Sequence, residues 1–263
     1  MAPRIKRHER IIALIREHGF MPVEKLARQL DVTPQTVRRD ISQLCEERLL
    51  RRYHGGAALG EALETEDFLL QKNKLQTERA HIADVIASQI PDRATLFMSI
   101  GTNIEAVAKA LVKKRNGLSV VTNNIHVASI LSSRNDYTVM ITSGVVRPVD
   151  GGITGLATVD FINQFKVDYA VLSASGIEED GSLFDFDYKE VSVMQAMMNN
   201  ARTRYLAADA AKFGRPALVR MGDITEFDAI FTDVQLHENL AKKLHDAGVS
   251  CFFADRSHDE EDA

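Results

Sequence analysis

Cysteine is scarce: the chain has two, Cys45 and Cys251. They lie far apart and fit neither a disulfide framework nor a zinc or redox spacing, so reduced thiols are expected. No apolar run reaches the ~18 residues that a membrane span needs. The opening MAPRIKRHER is charged and no apolar h-region follows it, so no secretory signal is expected either. Internal repeats and low-complexity stretches are missing. The sequence shows no metal-ligand cluster, no nucleophile–base arrangement and no dedicated cofactor motif. Neither a metal nor a cofactor is therefore expected. What is there is ordinary: 263 residues, 45% hydrophobic and 26% charged, enough for one large domain or a small one beside a larger one.

The net charge of −5 hides an asymmetry. Residues 1–60 carry 12 Lys/Arg against 7 Asp/Glu, while the remaining residues carry 20 against 30. A basic head on an acidic body implies that only the head meets a polyanion.

The head reads as three helices. RHERIIALIREHGF places Ile11, Ile12, Leu14 and Ile15 on one stripe that ends at Gly19. PVEKLARQL is a short second helix with Val23, Leu26 and Leu30 on one face. Thr33 suits an N-cap and Pro34 the first helical position of a third helix running to about Glu47. Val37, Ile41 and Leu44 form its buried stripe. At about 100° per residue, Gln35 and Arg39 fall opposite Val37, with Thr36 and Arg38 on the flanks. Two arginines at a helix start oppose the macrodipole, which favours negative charge there. Arg, Gln and Thr side chains so placed suit base edges and phosphates, and a short turn before the third helix makes a helix-turn-helix. RLLRRYHGGAAL then reads as a two-stranded wing turning at Gly55 and Gly56, with Arg51, Arg52 and His54 toward phosphate or the minor groove. The DNA-binding residues expected are thus Thr33, Gln35, Thr36, Arg38, Arg39, Arg51, Arg52 and His54.

Three segments follow from this reading: a winged helix-turn-helix domain over 1–58, a linker over 59–76, and an α/β domain over 77–263. The body opens on a helix with Ile82, Val85, Ile86 and Ile90 inward. Strands and helices then alternate, from ATLFMSI to SCFFA, which argues for a mostly parallel sheet covered on both faces. Ligands of such sheets bind beyond the carboxyl ends of the strands. Residues expected there are Ser99, Gly101, Thr102 and Asn103 after the first strand, and Thr122, Asn123 and Asn124 after the second. Gly144, Arg147, Gly151 and Gly152 follow the third. Asp187, Lys189 and Glu190 come from FDFDYKE, and Asp209 and Lys212 from DAAKFGR. A glycine between hydroxyl residues at a helix start suits a phosphate, and Arg147 is available to one. Together these groups point to a small phosphorylated polyol or sugar. Asp209, Lys212 and Glu190 leave a second reading open, a sugar-phosphate isomerase-like enzyme with a DNA-binding head.

VTPQTVRRDISQL followed by LLRRYHGGA resembles the DNA-binding domain of the DeoR family of bacterial transcriptional regulators. VVTNN, RPVDGGITG, DFINQF, DGSLFDFDYKEV and KFGR extend the resemblance over the body. The resemblance implies a fold similar to ribose-5-phosphate isomerase and CoA transferases. It also implies a cytoplasmic, non-enzymatic repressor that binds operator DNA as a dimer or tetramer. Its target would be glycerol 3-phosphate metabolism, with glycerol 3-phosphate as the expected effector. The family's first loop usually reads Asp-x-Gly-Thr-Thr, where this chain has Ser99, Gly101, Thr102 and Asn103. Ser143 and Ala211 depart as well. A different sugar phosphate, or no effector, stays open.

Overall fold

The computed structural model describes residues 3–53, 55–60 and 75–254, so His54 and nearly all of the expected linker lie outside it. The chain divides into two compact units.

In the first unit, α1 (Pro3–His18) buries Ile11, Leu14 and Ile15. Gly19, at φ 74°, ends it by donating its N–H to the Ile15 carbonyl at 2.7 Å. Next come β1 (Phe20–Pro22), α2 (Val23–Leu30) and α3 (Pro34–Glu46). Thr33 caps α3 by accepting from the Thr36 N–H, with Pro34 directly after the cap. Val37, Ile41 and Leu44 are fully buried against Ile15, Met21 and Leu26 in one core.

The wing differs from the sequence reading. β2 (Leu50–Tyr53) and β3 (Gly56–Leu59) pair as expected, but β1 joins them in a three-stranded antiparallel sheet ordered β1–β3–β2. This corrects the role of one glycine. Gly55 is the turn residue, at φ 80°. Gly56 is a packing residue: a Cβ there would lie 2.3 Å from the Met21 carbonyl oxygen and 2.6 Å from the Phe20 ring.

The second unit opens on α4 (Gln76–Gln89) and then alternates. The sheet strands are β4 (Thr95–Met98), β5 (Ser119–Thr122), β6 (Thr138–Ile141), β9 (Val167–Leu172), β12 (Ala201–Ala208), β14 (Ala229–Thr232) and β15 (Ser250–Phe253). All pair in parallel, in the order β15–β14–β12–β9–β4–β5–β6. Period-two alternation sends Leu96 and Met98 to a core with α4, α5 (Thr102–Lys114) and α6 (Ile125–Leu131). Phe97 faces the opposite core, with α7 (Leu156–Ile162), α8 (Tyr188–Asn199) and α9 (Glu238–Asp246). The order reverses between β4 and β9, the switch point where such sheets bind ligands.

Two small sheets were not foreseen: the hairpin β7 (Val145–Val146) with β8 (Ile153–Thr154), and β10 (Gly176–Ile177), β11 (Ser182–Asp185) and β13 (Val219–Asp223). The segment read as one strand through Ile177 breaks after Leu172. There the chain leaves β12 for a new partner, with the Ser175 N–H donating to the Phe184 carbonyl.

Candidate functional site

On the first unit, Gln35, Arg38 and Arg39 stand exposed at the start of α3, and Thr36 is half-buried. No acidic residue lies in that first turn to offset the arginines. The side chains of Gln35 and Arg39 make no hydrogen bond or ion pair among the described residues. Arg38 reaches across to Glu24 on α2 at 3.2 Å. Arg52 ties the wing to α3, donating to the Arg38 carbonyl at 3.1 Å and the Ser42 hydroxyl at 2.7 Å. Thr33 is spent on the cap, its hydroxyl 2.9 Å from that of Thr36. Arg51 is half-buried on β2.

The aspartate after the two arginines belongs to the core side. Asp40 is buried, with its oxygens 2.6 Å from Arg7 Nε and 3.1 Å from His8 Nε2. Burial opposes ionisation of this carboxyl. The hydrogen bonds from Arg7 and His8 outweigh it, leaving the pKa below the ordinary value. Asp40 therefore anchors α1 to α3.

On the second unit, the expected residues converge at the carboxyl ends of β4, β5, β9 and β12, but in two different roles. Gly101, at φ 123°, opens α5 without a side-chain cap, leaving Thr102 and Asn103 in the first turn. A Cβ at Gly101 would lie 3.7 Å from Ser173 Cβ, which places this loop beside the end of β9. Lys212, half-buried, lies close enough to Asp209 and Asp185 to favour ionisation of both. Burial nonetheless pushes the Asp185 carboxyl above its usual range.

Other expected residues are spent on structure. Ser99 is fully buried and its hydroxyl turns to the Ile100 carbonyl. Thr122 donates to the Met98 carbonyl at 2.8 Å and accepts from the Asn124 N–H. Asn124 caps α6, and Asn123 donates to the Ile153 carbonyl. Gly144 is required by packing, since a Cβ would sit 2.3 Å from Thr158 Oγ1. Gly151 lies by His126, and Gly152 packs against Ile100, which fastens the β7–β8 hairpin over the strand ends.

Arg147 corrects the expectation of a guanidinium open to phosphate. It is held by Asp150 and Glu190, with Asp187 at 3.8 Å. Glu190 is buried, Asp187 caps α8, and Lys189 is exposed. Asp209 is also closed off. Its Oδ2 accepts from Arg79 Nε at 2.7 Å and Asn103 Nδ2 at 3.2 Å, and its Oδ1 from the Ala211 N–H. Sequence reasoning missed Arg79, a buried arginine on α4; its only signal was a charge on an otherwise apolar helix face. Among the described residues, no group of His, Cys, Asp and Glu could hold a metal ion, and no helix is long and apolar enough to cross a membrane.

Residues 7–62 match the family described as DeoR-like helix-turn-helix domain, and residues 74–234 match the DeoR C terminal sensor domain. The chain belongs to the DeoR family. The glycerol-3-phosphate regulon repressor of Escherichia coli strain K12 is 44% identical over 228 residues, 87% of this chain and 90% of that protein. The HTH-type transcriptional repressor CsqR of the same organism is 38% identical over 92% of this chain and 93% of its own length. Ribose 5-phosphate isomerase A from Methanocaldococcus jannaschii aligns with 53% of this chain and 55% of its own, at 11% identity and a TM-score of 0.37. A likeness that small carries no functional weight. The two DeoR matches fall on the two units in the order read from the sequence, helix-turn-helix first and sensor second.

Proposed function

We propose that this DeoR-family protein represses genes of glycerol and glycerol 3-phosphate metabolism and leaves its operator when glycerol 3-phosphate binds. The observation that carries the reading is the start of α3, where Gln35, Arg38 and Arg39 stand exposed with no acidic residue in the turn. Such a face gains most from DNA, with Arg39 and Gln35 on base edges and Arg38, Arg51, Arg52 and His54 on the backbone. The name of the Escherichia coli relative supports the regulon.

The effector is bound at the strand-end site. Its phosphate takes the uncapped N–H groups of Thr102 and Asn103 and the charge of Lys212. Arg147, Asp150, Asp187 and Glu190 hold the hairpin that covers the site. An enzymatic role is not favoured. Asp209 is paired with the buried Arg79 and Glu190 with the half-buried Arg147, so neither carboxylate is open for acid–base work.

The protein acts in the cytoplasm as a dimer or tetramer on a near-palindromic operator. Val145, Val146 and Leu156 are 72%, 48% and 84% exposed, in a stretch whose two charges, Arg147 and Asp150, pair with each other, on an otherwise acidic body. Two copies meet there with the least repulsion. Deleting the gene is expected to raise transcription of the glycerol uptake and catabolism genes without added glycerol. Unchanged transcript levels in the deletion strain contradict the assignment.

A further inference from the structure

Asn103 is 1% exposed, and one half of its amide is unpaired. Nδ2 donates to Asp209 Oδ2 at 3.2 Å. Oδ1 has no hydrogen-bond partner. The orientation is dictated by chemistry. Arg79 Nε donates to the same Asp209 oxygen at 2.7 Å, and Lys212 lies nearby, so Asp209 is an ionised, acceptor-only group. An amide facing it must present its NH2 and turn its carbonyl away. That carbonyl lies in the first turn of the 13-residue helix α5, next to the open turn at Gly101.

Building on the strand-end site proposed above, we infer that Arg79 and Asp209 are positioning residues that fix the Asn103 amide so that Oδ1 accepts a hydroxyl proton from the effector. Asn103 is then the residue that selects a polyol phosphate over a phosphate lacking hydroxyls. The backbone N–H groups of α5 hold anionic oxygens but do not distinguish one alkyl phosphate from another. A phosphate dianion has no proton to give to a carbonyl, whereas a carbon-borne hydroxyl has one. A hydroxyl rotates to donate or accept, but an amide pinned by Asp209 only accepts.

The test is calorimetric titration of the full-length protein with glycerol 3-phosphate and with n-propyl phosphate, which keeps the phosphate and three carbons but lacks hydroxyls. Wild type is expected to prefer glycerol 3-phosphate by about tenfold or more, the scale of one well-made hydrogen bond. Asn103→Leu is expected to bring the two ligands within about twofold, by weakening glycerol 3-phosphate alone. Arg79→Met is expected to narrow the preference and Arg79→Lys to restore it; a purely structural role for Arg79 weakens both ligands in parallel. Equal wild-type affinity for the two phosphates overturns the inference whatever the variants do. So does an undiminished preference in Asn103→Leu. If wild type binds neither phosphate yet still binds operator DNA, glycerol 3-phosphate is not the effector, and the inference falls with that reading.

Discussion

Asp40 shows how far a single residue's meaning depends on distant partners. It follows Arg38 and Arg39 directly, yet its carboxylate turns inward to Arg7 and His8, more than thirty positions upstream. On the helical wheel it lies on the flank of the buried stripe, so its inward direction was legible. Its partners were not, because nothing local in α3 names them. Asp40→Asn is expected to destabilise the first unit by about 2–4 kcal/mol, read as faster amide exchange in α3, because it breaks a buried charge pair. The pH dependence follows from the lowered pKa. The stabilisation is full above the unfolded carboxylate value of about 4 and is lost as pH falls through the lower folded value. Arg39 is the opposite case: its direction was read from periodicity alone, and it stands exposed as read. Arg39→Ala is expected to weaken operator binding about tenfold to a hundredfold and random DNA much less, in a competition assay.

At the scale of elements, the long ones were legible and the short ones were not. α1, α3 and α5 announce themselves by stripe, cap and length. β1, β7 and β10 have two or three residues each, too few for any period, and exist because a neighbouring strand offers an edge. The central strands read as apolar runs because both faces are buried. Their order is not written in those runs, so the switch point between β4 and β9 had to be seen. The candidate site followed the same division. Its location at the strand ends was predictable from the fold class, but which residues are spent on structure was not. Ser99, Thr122 and Asp209 look like ligand groups in sequence and are consumed by backbone or arginine contacts. Gly101→Ala tests the loop as an element. At φ 123° an L side chain is strained by about 1–3 kcal/mol, which tilts the start of α5. Effector response is expected to weaken at least tenfold while operator affinity stays within about twofold, measured on the same preparation.

At the scale of the whole molecule, the charge division is the simplest physical statement about function. Residues 1–60 carry a surplus of five positive charges and the rest a surplus of ten negative. DNA affinity should therefore fall steeply with salt. Each phosphate neutralised adds about −0.9 to the slope of log K against log salt, so four contacts per head give about −3.6 per head bound. Replacing Arg52 with Gln should remove roughly one unit of that slope per head. A slope near zero contradicts the assignment of the basic head to DNA. An acidic body is expected to repel DNA, which leaves the basic head as the surface that meets it.

The central claim joins the two units, and one titration addresses it directly. Full-length protein is added to fluorescent DNA from upstream of glycerol catabolism genes, and anisotropy is followed as glycerol 3-phosphate is introduced. The account predicts tight binding that glycerol 3-phosphate reverses, while inorganic phosphate at the same concentration does not. Sequence-specific binding that persists undiminished through millimolar glycerol 3-phosphate contradicts it.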